Sequence, residues 1–221
     1  LHLAATGRAQ AVDGTVSVSA TEVVGACLLP PVLARLRREA PGIVVEVVLT
    51  DALSDLRRRE ADIAIRHLRP DPPDLIGRWV RDARAGFYAS SSWVRRHGHP
   101  RTAAQAARHA FVGSDRSGRY LEYLRGLGLP VDADRFSCHA QSTMMHWVLV
   151  QQGLGIGPMM DEIARITPGV VRVLDDVPPV RFPIWLVTHR ELRTSRPVRL
   201  VFDALADALG EGGRSGAPPA R

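Results

Sequence analysis

Polar residues stand at the ends of the apolar runs of this chain, and their types suit the capture of a small molecule. Ala20-Thr21-Glu22 follows the first run, Thr50-Asp51 the second and Arg66-His67 the third. Ser114-Asp115 follows a later short run, and Ser142-Thr143 opens a helical one. A helix starting at Val23 or Gly25 leaves free N–H groups beside Thr21, a setting for a small acid or another anion. Simple capping by Thr21, worth about 1 kcal/mol, explains the same residue. Glu22 competes with an anionic ligand there, so it either points away or selects an amine or a neutral group. Arg66 can hold a carboxylate through two parallel hydrogen bonds, or pair with a nearby acid of the fold. His67 is either a contact or a plain loop residue. Ser142 and Thr143 offer a second helix N-terminus, and two opposed helix ends would close on one small ligand.

Motifs of catalysis and metal binding are missing from the sequence. There is no GxSxG, HExxH or GxxxxGK[ST]. His97-Gly98-His99 lacks further ligands at useful spacing. The Gly153–Gly157 run precedes a proline and does not open a helix, so it makes a poor phosphate loop. No cofactor and no metal are expected. Cys27 and Cys138 form no CxxC pair and read as small buried apolar groups in a reduced, cytoplasmic setting.

The elements that must position these residues follow from hydrophobic spacing. Val16–Ser19 is a β-branched strand. Leu28, Leu29, Val32, Leu33 and Leu36 fall at helical spacing, and Pro41-Gly42 stops that helix. Ile43–Leu49 is a continuous apolar run, expected to be a strand buried on both faces. Leu53 and Leu56 suggest a short helix, and Ala61–Ile65 returns to the sheet. These two βαβ units make an open α/β sheet, whose ligands sit beyond the carboxyl ends of the strands. A second α/β block follows, with strands at Leu75–Arg81, Gly86–Ala89, Ala110–Gly113, Arg135–His139, Leu154–Met160 and Val170–Leu174. Its helices begin at Ser90–Ser92, near Ala103, at Tyr120 and at Ser142 or Thr143. The strand Pro183–Thr188 and the helical stripe Val198–Leu209 lack a sheet of their own and are expected to return to the first block. Two lobes joined by two crossover strands result, with a ligand cleft between them.

The chain has 221 residues, 45% of them hydrophobic and 24% charged, enough for a sizeable core. No apolar run approaches about 18 residues, so no membrane contact is expected. The opening LHLAATGRAQAVDG lacks the pattern of a secretion signal. Net charge is +6, and every basic residue other than histidine is arginine. The arginines are scattered, which fits a solvated shell better than the concentrated stripe of a DNA-contact surface.

Taken in order, four motifs resemble the effector-binding domain of LysR-type transcriptional regulators. They are GTVSVSA…LLPPVLARLRREAPGIVVEVVLTD…LRRREADIAIR, FYASSSWVRRHGHP, STMMHWVLVQQGLGIGPMM and PIWLVTHRELRTSRPVRLVFDALADAL. The resemblance covers about Gly14 to Leu209. It implies two Rossmann-like lobes of the periplasmic-binding-protein type 2 architecture. Lobe I would be 14–88 with 186–209 and lobe II 89–185. Residues 1–13 would end a linker helix, and 210–221 would be a disordered tail. It further implies a small-molecule effector, carboxylated in view of the rim residues. The ligand set would be Ala20, Thr21, Glu22, Thr50, Arg66, His67, Ser114, Asp115, Ser142 and Thr143. The helices near Leu28 and Ser142 would pair protomers in a homodimer or homotetramer. Promoter DNA would be contacted only through an amino-terminal helix-turn-helix absent here. The rival readings are a periplasmic solute-binding protein and an enzyme of this fold, such as a porphobilinogen deaminase relative.

Overall fold

A computed structural model describes residues 12–50, 61–70 and 73–211. The helix expected at Leu53 and Leu56, Asp51, residues 1–11 of the linker expected over 1–13 and residues 212–221 of the tail expected over 210–221 lie outside the described residues, while Gly210 and Glu211 belong to the last helix.

Strand β1 (Gly14–Ala20) is followed by helices α1 (Glu22–Cys27) and α2 (Leu29–Glu39). Strand β2 (Ile43–Leu49) runs parallel to β1. Strand β3 (Ile63–Arg66) pairs parallel with the other edge of β1. Pro30 and Pro31 stand in the first turn of α2, where a missing N–H costs nothing. The helix buries Leu29, Val32 and Leu36 and leaves Arg37 and Arg38 in solvent.

Strand β4 (Leu75–Ser90) spans the molecule. Beyond it come α3 (Ser91–His97), α4 (Ala103–Ala106), β5 (Phe111–Gly113), α5 (Arg119–Gly126) and β6 (Phe136–His139). The chain continues through α6 (Thr143–Gln151), β7 (Gly157–Met160), α7 (Asp161–Ile166) and β8 (Val170–Val173). It returns along β9 (Val180–His189) and closes with α8 (Arg196–Glu211). The main sheet has the order β2-β1-β3-β9-β4-β7, with β8 also on β4, and β5 pairs with β6 separately.

The last strand and helix do rejoin the first block. β9 pairs antiparallel with β3 from Ile63–Thr188 to Arg66–Trp185. Val198, Val201, Leu205 and Leu209 of α8 are buried with Val16, Val18, Ile63 and Ile65 of the sheet. Each such side chain contributes about 1.5–3 kcal/mol on burial. A second core gathers Phe87, Trp93, Phe111, Leu124, Leu129, Ile156 and Leu174. Both cores are threaded by β4, which pairs with β9 from Leu75 to Ala85 and with β7 and β8 from Ala85 to Ser90. At the register shift between Trp79 and Arg81, the Arg81 guanidinium donates to the Leu209 carbonyl at 2.6 Å and to Glu162. One arginine thus joins the end of α8 to α7.

Four expectations are corrected. The two strands at Leu75–Arg81 and Gly86–Ala89 are one, because Asp82–Ala85 pair with Val180–Pro183 of β9 while Asp82 and Arg84 face solvent. Strand β2 is not buried on both faces: it is an edge strand, with Val44 59% and Leu49 45% exposed. The strand expected from Leu154 begins only at Gly157, after a left-handed turn at Gly153 (φ 78°), and the short helix α7 was not expected. Cys27 and Cys138 are half-buried, not buried.

Candidate functional site

The N-termini of α1 and α6 meet across the molecule. Thr21 is the N-cap of α1, yet its side chain makes no capping hydrogen bond. The Val23 N–H instead donates to Oγ1 of Thr143, the first residue of α6, at 3.2 Å. Ser142 caps its own helix by accepting from the Met145 N–H at 3.1 Å, and its hydroxyl donates to Glu22. A residue of each helix therefore serves the first turn of the other. Glu22 supplies the negative charge that the N-terminus of α6 favours.

A cleft of about 330 Å³ lies behind this junction. Its walls are largely apolar: Val23 and Val24 of α1, Pro158, Met159 and Met160 of β7, Ala85 of β4 and Phe182 of β9. Its polar lining is Thr21, His67, Ser114, Gln141, Thr143 and His146. No arginine, aspartate or glutamate lines it among the described residues. The His67 ring meets Phe182 edge to face at 4.9 Å. Burial, above all, holds His67 below the ordinary imidazole range, against a hydrogen bond with the Pro183 backbone, and the Arg66 charge adds to the lowering. Burial likewise lowers His146, whose Nε2 lies 3.0 Å from the Val112 carbonyl. Both rings are neutral near pH 7. Thr21 Oγ1 and His67 Nδ1 are buried without a hydrogen-bond partner among the described residues. Buried polar atoms left unpaired cost about 1–3 kcal/mol each.

Of the ten residues expected from sequence, Thr21, His67, Ser114 and Thr143 line the cleft. Glu22 and Ser142 form the tie beside it. The other four stand elsewhere. Ala20 is fully buried in the core, and its carbonyl accepts from the Thr50 N–H at 3.0 Å. Arg66 donates to Ser19 Oγ at 3.1 Å and to its neighbour's carbonyl, Ile65, at 2.9 Å. These bonds tie Arg66 to its own strand and to the adjacent strand β1. Asp115 accepts from the Ser117 N–H at 2.9 Å and shapes its own loop.

His146, Gln141 and Phe182 were not anticipated. His146 had a signal: it lies three residues beyond Thr143, which puts both on one helix face. Gly157 explains how His146 fits, since a Cβ there would stand 2.7 Å from His146 Cε1. No group of three or more His, Cys, Asp or Glu could hold a metal among the described residues.

Comparison with known proteins agrees with this architecture. Residues 9–210 match the LysR substrate binding domain family. The transcriptional regulator CrgA of Neisseria meningitidis serogroup B is 29% identical over 106 residues, which cover 48% of this chain and 36% of that protein. The match thus spans about a third of that relative's length. The regulatory domain of CrgA superposes with a TM-score of 0.75 at 24% identity, covering 90% of this chain and all of that one. Full-length AphB of Vibrio cholerae, a virulence activator, gives 0.71 at 20% identity, covering 90% of this chain and 69% of that one. The chain belongs to the LysR substrate binding domain family and has its two-lobed, periplasmic-binding-protein-like fold.

Proposed function

We propose that this chain is the effector-sensing part of a LysR-type transcriptional regulator, and that its effector is an uncharged small molecule held in the cleft between α1 and α6. The family match favours sensing over solute transport. The observation that carries the ligand chemistry is a lining that holds no arginine, aspartate or glutamate among the described residues. The carboxylate suggested by the sequence would meet no arginine in this lining among the described residues. It would also meet the Glu22 charge, at helix ends whose first-turn partners are already supplied by Thr143 and Ser142. An apolar body with one hydroxyl or amide group suits the walls, with Thr21 and His67 as its polar partners. No bond is made or broken in this reading.

Lobe I would comprise 14–88 with 186–209 and lobe II 89–185. Ligand entry displaces or strengthens the α1–α6 tie, which biases the relative placement of the lobes. Exposed Val44, Leu49, Met145 and Ile166 support pairing of copies into a homodimer or homotetramer. DNA recognition would belong to a helix-turn-helix joined to this domain, in the cytoplasm. No described helix is long and apolar enough to cross a membrane.

The test is thermal unfolding against a panel of phenols, alcohols and primary amides. A ligand at about 100 times its Kd stabilises by about 2.7 kcal/mol. Ala140 also lines the cleft, and the effect should vanish in Ala140→Leu, whose larger side chain fills it. Stabilisation that persists in this variant would move the site elsewhere.

A further inference from the structure

A second cavity, of about 380 Å³, lies within the first lobe, away from the cleft. Its floor is apolar, formed by Ile76 of β4 with Val198 and Phe202 of α8. Three guanidiniums from three separate elements line it: Arg78 on β4, Arg193 in the 3-10 turn after β9, and Arg199 on α8. A single carboxylate, Asp203, answers them, and it stands 3.9 Å from Arg78, at the limit of an ion pair. The side chains of Arg193 and Arg199 have no hydrogen-bond or ion-pair partner among the described residues.

The placement runs against local rules. The 16-residue α8 carries no acidic residue in its first turn. Arg199 stands there instead, where the helix field disfavours positive charge. Such conflicts concentrate at sites where something else supplies the balance. Here the missing balance is a negative charge above an apolar floor.

We propose that this cavity binds an organic carboxylate with a short apolar tail, a second ligand site independent of the cleft. The tail lies on Ile76, Val198 and Phe202. The carboxylate is held at the rim by Arg193 and Arg199, either of which can bind it with two hydrogen bonds. Asp203 keeps the rim from a larger positive excess and favours a monoanion over a polyanion.

The test titrates the whole chain with 4-phenylbutyrate and with its uncharged amide, following backbone amide resonances. Saturable shifts should gather at 76–78 and 193–203 and leave Val23 and Thr143 unmoved. The amide, and the Arg193→Ala/Arg199→Ala variant, should each bind about tenfold more weakly or worse. Both arginines are exposed, so the variant should unfold at the wild-type temperature. Three results would overturn the site: shifts centred on the cleft, equal binding of acid and amide, or shifts that never saturate. Shifts of the acid centred on the cleft would also count against the uncharged effector proposed there, whereas equal binding of acid and amide at 76–78 and 193–203, or shifts that never saturate, would overturn this site alone.

Discussion

Thr143 Oγ1 accepts the Val23 N–H at 3.2 Å, so the first turn of α1 is capped from the opposite side of the cleft. The helix's own N-cap residue, Thr21, leaves that position unfilled. A bond of this kind makes the stability of α1 depend on how α6 is placed. Replacing Thr143 by Val removes the acceptor at nearly constant volume. The expected cost is about 1 kcal/mol, read by urea unfolding, and Thr143→Ser should restore most of it. A Val variant as stable as wild type would show that the tie carries no energy.

Arg81 holds the back of the molecule. Its pair with Glu162 is 12% and 14% exposed, and it also reaches the Leu209 carbonyl. Arg81→Ala leaves a largely buried carboxylate unpaired and should cost about 3 kcal/mol or more in chemical unfolding. Removing both charges, in Arg81→Met with Glu162→Leu, should cost far less than Arg81→Ala. Equal losses would mean that packing, not charge, is what the arginine supplies.

Acid should weaken the fold through the two lining histidines. Both pKa values lie below the ordinary 6.5, chiefly through burial. A group lowered on folding stabilises above its unfolded pKa, and that stability is lost as pH falls through the folded value. The melting temperature should therefore hold above pH 6.5 and fall below it. His146→Gln should flatten part of that fall. An unchanged acid limb in this variant would show that His146 titrates as it does in the unfolded chain.

Gly157 should not tolerate a side chain. An alanine Cβ would stand 2.6 Å from Val150 Cγ2 and 2.7 Å from His146 Cε1. Gly157→Ala should destabilise by about 1–3 kcal/mol and perturb the cleft through His146. Unaltered melting would mean that α6 yields easily.

Much of the fold is legible in the residues. The apolar runs at Val16–Ser19 and Ile43–Leu49, the helical stripe of α2 and the stripe of α8 each carry their period openly. The continuity of β4 is hidden, because Arg81-Asp82-Ala83-Arg84 looks like a break and is a paired strand whose Asp82 and Arg84 face solvent. The exposure of β2 is hidden too, since strand order depends on distant pairings. Thr21, His67, Ser114 and Thr143 of the cleft follow from strand ends and helix starts, which local pattern locates well. That no arginine, aspartate or glutamate lines it among the described residues does not: Arg66 turns to Ser19, and Glu22 turns to Ser142, through contacts between residues 47 and 120 positions apart.

The most direct measurement is a titration of the chain with 4-ethylphenol and, separately, with 4-ethylbenzoate, read at the backbone amides of Val23, Ser114, Thr143 and His146. Saturable shifts are expected at these four with the phenol and none there with the benzoate. Shifts at these positions with the benzoate alone would contradict an uncharged effector in the cleft.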